Sequence, residues 1–461
     1  MEYLRSRALF SEMSLLAIVL LLSGGIILAA ECPPPGLSAQ ETLAKFQEID
    51  RSAQSDFDAG RFPKAARQYR EAACLAPKSA RAYFGLGSSE AATGNYTAAR
   101  EAFATAAALL PQSPMPLAML VRVSVALHDI PKIKEALRTA AERLPRDAEL
   151  HSGLARFLAE NQMLDLALAE SLRFEQTGSS NAESSVALAA LENTVGAYEE
   201  AIRHASTVEN SAQIDDRVKA SAAGVAGLSF EGLGDRDQAV RELKLAIQLA
   251  PQQENSYLAL ADLYEKAEKF KEAVEVLQEG RLRIPNATAL LLPLGNNLVW
   301  AGQMESAIPV LSEVKRKSPD TLEAYIRLAE AYRKLGRPEQ EVATLKDLAR
   351  IKPDYPMLHV LRAQAMLTMD SPDHQRILEE LSAAEKSTPA DAGVFYVRGK
   401  VYAELKRYPE AVASFQRAIE LRPLDPSPYY QLGLLYRKIG NTSHAREMMD
   451  RFEYLQPPVR R

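Results

Sequence analysis

Histidine, cysteine and serine are the residues whose spacing would first indicate catalysis or metal binding, and here they form no recognisable site. The six histidines contain no i, i+4 pair that could share a metal ion: His128, His151, His204, His359, His374 and His444. HExxH, CxxC, the GxxxxGK[ST] phosphate loop and the GxSxG elbow are absent from the sequence. We therefore expect no enzyme, no cofactor and no metal site, and we expect the histidines to lie in turns or on the surface.

The two cysteines, Cys32 and Cys74, offer redox chemistry only if they meet. An oxidising compartment would allow them to pair. Cys32 lies in a proline-rich stretch, however, and Cys74 lies on a predicted helix, so their spacing does not show that they come together. A free thiol at each position is the expectation.

Composition and charge restrict the class of protein. Apolar residues make up 47% of the chain and aromatic residues only 7%, which suits tightly packed helices better than strands. The formal net charge of -5 supplies no basic field for nucleic acid, so we expect no nucleic-acid partner.

The N-terminus differs from the rest of the chain. An uncharged apolar run occupies residues 13–30 and ends in Ala29 and Ala30 before the turn-prone ECPPPG. This pattern predicts a signal peptide at residues 1–30, followed by a proline-rich leader at 31–41, and hence a periplasmic or secreted protein. The alternative is an uncleaved anchor at 13–30, which would be the protein's only contact with a membrane.

Prolines recur at a spacing of 34 residues along most of the chain. Three runs show it: Pro77, Pro111 and Pro145; Pro251, Pro285, Pro319 and Pro353; and Pro389, Pro423 and Pro457. Proline lacks an N–H and pushes its predecessor out of the helical region, so each should follow the end of a helix. A fixed period of this length indicates a repeat array rather than three ordinary domains.

The residues within one period carry a second pattern. Residues 257–285 hold large and small side chains at helical spacing, namely Tyr257, Leu260, Ala261, Tyr264, Ala273, Leu277 and Pro285. This pattern resembles the tetratricopeptide repeat (TPR), a helix-turn-helix unit of 34 residues. The resemblance covers about residues 46–459. It implies an all-α fold, an α-solenoid in which about twelve helix-turn-helix units form a right-handed superhelix.

The phase of the repeats predicts the boundaries of the units. They begin near Phe46, Ala80, Pro114, Ala148, Ala182, Ala220, Glu254, Thr288, Leu322, Pro356, Ala392 and Pro426. A four-residue surplus in the phase suggests an irregular joint at 206–219, either a softer connection or simply a longer turn. The joint would separate an N-terminal block at 42–205 from a C-terminal block at 220–461.

Membership of this family would imply a concave groove, lined mostly by first helices, that holds an extended peptide or a partner's helix. Transferred onto the family's groove positions, the candidate binding residues are Phe84, Met119, Arg122, Arg156, Asn296, Trp300, Arg327, Arg333, Tyr396, Lys400 and Tyr430. Trp300 is the only tryptophan, and exposed Trp, Tyr and Arg are favoured binding anchors. The alternative is that Trp300 fills a gap between neighbouring units.

Cochaperone members of the family hold a terminal carboxylate with Lys and Asn on consecutive first helices, and that pair is absent here. The corresponding places carry Asp50 and Gln54, Phe84 and Ser88, Ala118 and Arg122, or Leu292 and Asn296.

The resemblance, together with the apolar N-terminus, implies a non-enzymatic scaffold of the cell envelope that binds a protein or peptide partner. A TPR component of a polysaccharide or pilus export machinery is the alternative. An enzyme is the third hypothesis, and the missing motifs count against it. The sequence does not specify an oligomeric state.

Overall fold

The structure is a computed structural model that describes residues 38–355 and 357–455. These residues form 24 α-helices and one short 3-10 helix, and none of them lies in a strand. The chain divides into two compact units, an N-terminal unit that ends at Asn210 and a C-terminal unit that begins at Ser211. The all-α solenoid of about twelve units predicted from the repeat is thereby confirmed.

The N-terminal unit contains five helical pairs. Its first helices are α1 (Ala39–Asp58), α3 (Ala80–Ala92), α5 (Pro114–Ala126), α7 (Ala148–Glu160) and α9 (Ala182–Val195). Its second helices are α2 (Phe62–Leu75), α4 (Tyr96–Leu109), α6 (Ile130–Arg143), α8 (Leu164–Gln176) and α10 (Tyr198–Glu209). The two helices of each pair pack against each other.

The C-terminal unit contains seven pairs built in the same way. Its first helices are α11 (Asp216–Gly232), α13 (Glu254–Lys266), α15 (Leu291–Trp300), α17 (Leu322–Lys334), α19 (Leu358–Leu367), α21 (Ala392–Glu404) and α23 (Pro426–Lys438). Its second helices are α12 (Arg236–Leu249), α14 (Phe270–Arg283), α16 (Met304–Lys317), α18 (Pro338–Ile351), α20 (His374–Ser387), α22 (Tyr408–Leu421) and α24 (Thr442–Leu455). The 3-10 turn Thr288–Leu290 precedes α15.

Local signals set the helix boundaries. Most predicted unit starts coincide with the first residue of a helix, because a side-chain cap such as Asp147, which accepts from the N–H of Leu150 at 2.9 Å, satisfies a free backbone donor there. The first unit is an exception. Ser38 and Glu41 form a capping box, so α1 begins at Ala39, seven residues before the predicted Phe46.

A tyrosine in the first helix ties several repeats to the proline that closes the preceding one. The hydroxyl of Tyr257 donates to the carbonyl oxygen of Pro251 at 3.1 Å. Tyr325 donates to Pro319 in the same way, and Tyr429 to Pro423, both at 3.0 Å. The repeated Tyr and Pro therefore form one recurring hydrogen bond, which satisfies a hydroxyl that packing would otherwise bury without a partner.

Small residues stand where the two helices of a unit cross. A Cβ atom added at Gly399 would lie 2.6 Å from the ring of Phe415, and the side chain of Ala411 is fully buried at the same crossing. Ala307 is likewise fully buried between α15 and α16. The repeat therefore requires small side chains here because the backbones approach closely.

Two expectations from the sequence are corrected by the structure. Cys74 is disulfide-bonded, and none of the described cysteines is free. The expectation of a free thiol at this position is therefore wrong. His151 and His204 are buried, at 0% and 5% exposure, so they are not surface residues. Each is hydrogen-bonded to a buried carboxylate on a neighbouring helix, a contact that spacing along the chain does not reveal.

Several predictions fall partly or wholly on residues that the structure does not describe. The signal peptide at 1–30, Cys32 and most of the leader lie outside the described residues, as does Pro356. Within the described ranges, no helix is both long enough and apolar enough to span a bilayer. The segment between the last helix of the first unit and the first helix of the second, residues 210–215, is shorter than the predicted joint at 206–219. The predicted division into blocks at 42–205 and 220–461 stays a prediction.

Candidate partner-binding surfaces

The structure brings three of the predicted residues together on α15 and α17. The guanidinium carbon of Arg327 lies 4.8 Å from the centroid of the Trp300 ring, a cation–π contact. Trp300 closes α15 and remains 36% exposed, while Asn296, one helical turn earlier, is 9% exposed. We call Asn296, Trp300 and Arg327 the tryptophan surface.

Two carboxylates hold the polar groups of the tryptophan surface in place. Glu323 accepts from the Asn296 amide at 3.1 Å and lies 3.6 Å from a terminal nitrogen of Arg327. Glu330 accepts from the other terminal nitrogen at 3.1 Å. The side-chain oxygen of Asn296 and the Nε of Arg327 are buried without a hydrogen-bond partner. Each such atom leaves about 1–3 kcal/mol of desolvation free energy uncompensated.

The other predicted residues of the C-terminal unit lie on later helices. Arg333 is exposed near the end of α17, and Lys400 is half-buried on α21. The ring of Tyr396 packs 6.1 Å from that of Phe415, and burial raises the pKa of its phenol above the usual value. Tyr430, on α23, is 38% exposed. Within the described residues, no hydrogen bond, ion pair or ring contact joins these side chains to Trp300, so they remain separate candidates.

The four residues predicted in the N-terminal unit lie on three consecutive first helices. Phe84, on α3, is half-buried and meets the ring of Phe103 edge-on at 5.5 Å. Met119 is half-buried on α5, and Arg122 and Arg156 are exposed on α5 and α7. The structure therefore leaves both arginines at the surface.

Sequence reasoning missed the residues that position these anchors. The ring of Phe270, at the start of α14, packs 5.6 Å from that of Trp300. Glu323 and Glu330 lie one turn on either side of Arg327, so their i, i+4 and i, i+3 spacing could have revealed the ion pairs. The contact with Phe270 joins two different repeats and has no local signal.

A buried charge cluster joins α7 to α8. The Nδ1 of His151 lies 2.7 Å from an oxygen of Glu170, and its Nε2 lies 3.0 Å from the carbonyl oxygen of Leu144. Both partners only accept hydrogen bonds, so both ring nitrogens donate and the imidazole is charged. The hydrogen bond that His151 donates to Glu170 raises the pKa of His151 against the opposing effects of burial and of Arg173, which also pairs with Glu170.

A second buried pair lies one repeat further along. The Nδ1 of His204 is 2.6 Å from an oxygen of Glu192, and its Nε2 is 3.4 Å from an oxygen of Glu175. Burial raises the pKa of Glu192, while the hydrogen bond from His204 lowers it. These clusters hold helices together, and we assign them no chemistry on a substrate.

Two clefts in the described part of the chain do not coincide with the predicted anchors. One, of about 700 Å³, is lined by residues of α20 and the turn before α22, including His374, Glu379, Lys386 and Arg407. Another, of about 420 Å³, lies between α14 and the next pair of helices and includes Leu282 and Leu298. No group of three or more potential ligands in residues 38–355 and 357–455 could hold a metal ion.

Comparison with family models decides the family. Models described as tetratricopeptide repeat match residues 51–114, 232–292, 298–365 and 426–458, and a model described as TPR repeat matches 399–440. The chain belongs to the tetratricopeptide repeat family. TPR arrays are protein–protein interaction scaffolds, and this is the general role we assign to the chain.

Several solved structures match the chain at low similarity. MamA from Desulfovibrio magneticus RS-1 is 20% identical, with a TM-score of 0.33 over 37% of this chain and 95% of that one. Yeast Tom70 is 14% identical, with a TM-score of 0.35 over 90% and 92%. A thermophilic TPR protein from Thermus thermophilus is 24% identical, with a TM-score of 0.34 over 38% and 93%. No curated protein matches the chain in sequence.

Proposed function

We propose that the chain is an exported scaffold of the cell envelope and that its tryptophan surface binds an extended peptide or a helix of a partner protein. The assignment of the binding site rests on the exposed indole of Trp300, which is stacked on Arg327. Tryptophan and arginine, together with tyrosine, are enriched among the residues that dominate binding free energy.

The surroundings of the indole support this assignment. Phe270 and Arg327 hold its ring in one orientation, so little side-chain entropy would be lost on binding. The unpartnered oxygen of Asn296 and Nε of Arg327 are an acceptor and a donor. A peptide's N–H and C=O groups would satisfy both atoms after a small side-chain shift, the usual extent of rearrangement on binding.

Two observations support export. The apolar run at 13–30, with Ala29 and Ala30 at its end, has the composition of a signal peptide. The disulfide at Cys74 is typical of an oxidising compartment outside the cytosol. Mass measurement of the protein recovered from cells tests this proposal: loss of residues 1–30 is expected, an intact segment in the membrane fraction indicates an anchor, and an intact cytosolic protein contradicts export.

The binding proposal is tested by crosslinking in intact cells followed by affinity recovery. We expect a protein partner to be recovered with the wild type and lost with Trp300→Ala combined with Arg327→Ala. Leu282→Ala is the matched control, because Leu282 is a large apolar residue, 82% exposed on the second helix α14. Equal recovery by the double variant, with unchanged helicity, contradicts the assignment of the surface. Recovery of a glycan in place of a protein would favour the export-machinery alternative.

A further inference from the structure

We propose that the N-terminal unit carries a second docking surface, specific for an acidic, extended peptide segment of a partner protein. It consists of Phe84, Met119, Arg122, Arg156 and Phe157, and we call it the arginine surface. It uses a different unit and different residues from the tryptophan surface, so the two proposals stand independently.

The two arginines share one surface. They lie 34 residues apart, at equivalent places on the consecutive first helices α5 and α7, and these helices contact each other directly. The guanidinium carbon of Arg122 lies 4.9 Å from the ring centroid of Phe157, the residue that follows Arg156. Arg122 therefore reaches across to the helix that carries Arg156, and both side chains are exposed.

No carboxylate in the described residues neutralises this pair. Two other arginines of the unit have close carboxylate partners: Arg70 lies 2.6 Å from Glu90, and Arg100 lies 2.6 Å from Asp129. Arg122 forms only the ring contact, and Arg156 forms no ion pair or hydrogen bond within the described chain.

The neighbouring positions on the first helices also lack acidic side chains. They carry Ser88, Ala118, Ser152 and Ala190. Glu160 lies one turn after Arg156 and forms no ion pair with it in the described structure. The surface therefore combines two uncompensated positive charges with small residues that leave room for a chain to lie across them.

The chemistry of these groups favours an acidic peptide. Guanidinium groups bind carboxylates through paired, charge-assisted hydrogen bonds, and the half-buried Phe84 and Met119 offer an apolar contact beside them. Adjacent helices lie about 8–10 Å apart, and an extended polyproline II segment covers this distance in one turn of about three residues, which returns its side chains to the same face. Acidic residues three apart would thus reach both arginines.

Fluorescence anisotropy with the protein as purified from cells tests the proposal. The probe is a labelled peptide with glutamate at every third position and leucine between, and its comparison peptide has glutamine in place of each glutamate. We expect the glutamate peptide to bind at least about tenfold more tightly, with an affinity that falls as salt is added. Arg122→Glu combined with Arg156→Glu should lose this preference.

Three further protein variants complete the test. Arg138→Glu should bind as the wild type does, because Arg138 lies on the second helix α6 with its side chain 73% exposed. Trp300→Ala should also keep full affinity, which separates this surface from the tryptophan surface. Arg156→Gln serves if the double reversal disturbs folding, and we expect it to weaken binding too.

Three results would overturn the proposal. The first is equal affinity for the glutamate and glutamine peptides, or no saturable binding of either. The second is undiminished binding of the glutamate peptide by the double variant and by Arg156→Gln, with helicity and melting unchanged. The third is binding of a short thymidine oligonucleotide as tight as that of the glutamate peptide and equally sensitive to the variants, which would assign the surface to nucleic acid.

Discussion

Glu341 replaces the small residue at a helix crossing and should make the C-terminal unit sensitive to pH. It lies on α18, 34 residues after Ala307, and only 1% of it is exposed. One of its oxygens is buried without a hydrogen-bond partner. Burial raises the pKa of its carboxyl from 4.5 to about 7, against a smaller opposing effect of Arg333.

The magnitude follows from linkage between protonation and folding. The unfolded chain releases the proton near pH 4.5 and the folded chain only near 7. The contribution of protonated Glu341 to the free energy of unfolding is therefore fully present below pH 4.5 and is lost as the pH rises through 7. At about 1.4 kcal/mol per pKa unit, the full loss is about 3 kcal/mol. Glu341 lies in the first turn of α18, where the helix dipole favours its charge by about 1 kcal/mol. We therefore expect a loss of about 2 kcal/mol between pH 5 and pH 7.5.

Amide hydrogen exchange is the appropriate assay, because a repeat array need not unfold in one step. After correction for intrinsic exchange rates, protection of α17 and α18 should fall about 30-fold in the wild type between the two pH values. Glu341→Gln removes the titrating group, so its protection should stay nearly constant. Glu339→Gln is the matched control, since Glu339 is exposed on the same helix and its variant should behave as the wild type does.

The outcome that refutes this reasoning is a pH response in Glu341→Gln as large as in the wild type. A response abolished equally by Glu339→Gln would refute it too, because an exposed carboxylate has no comparable desolvation. Glu341→Ala, which restores the residue found at Ala307, provides a second variant. It should also be insensitive to pH over this range.

The remaining predictions concern packing and the buried ion pairs. Ala411→Leu should destabilise the C-terminal unit by about 1–3 kcal/mol through overpacking, and an unchanged melting temperature would disprove the close crossing. Gly399→Ala should also lower the melting temperature, because its Cβ would lie 2.6 Å from a ring, whereas Gly153→Ala, with nothing within 4 Å, should raise it slightly. His151→Ala should cost about 3 kcal/mol at acidic pH. The pKa of His151 is raised above 6.5, so its contribution is complete below 6.5 and lost as the pH rises through the raised pKa. Hydrogen exchange of α7 and α8 should therefore show a smaller effect of this variant at pH 9, and an equal effect at both pH values would contradict the charged pair.

Much of the fold could be predicted from the sequence because its signals are local. The closing prolines, the capping side chains and the small residues at the crossings act within one helix or one pair of helices. Helices therefore begin at Ala80, Pro114 and Ala148 as the period predicts. The predicted start at Phe46 failed because the capping box at Ser38 lies before the first recognisable repeat.

The candidate site could be predicted only in part. A family's groove positions name Trp300 and Arg327 separately, but their stacking depends on how α15 and α17 pack. The same positions name Arg122 and Arg156 without showing that they lack a carboxylate partner. Ion pairs across helices depend on side-chain reach and burial, which no spacing along one helix specifies.

The sequence by itself determined that this chain is an array of helical pairs, where each pair starts and stops, and which residues are small. These properties come from backbone chemistry and from a period that repeats with little change. The tertiary structure alone decided that His151 is buried in an ion pair with Glu170, that Glu341 is buried at a helix crossing, and that the ring of Phe270 packs against that of Trp300. Each of these depends on which side chains neighbouring helices bring together, and burial then changes the energy of a charge far more than its position in the repeat does.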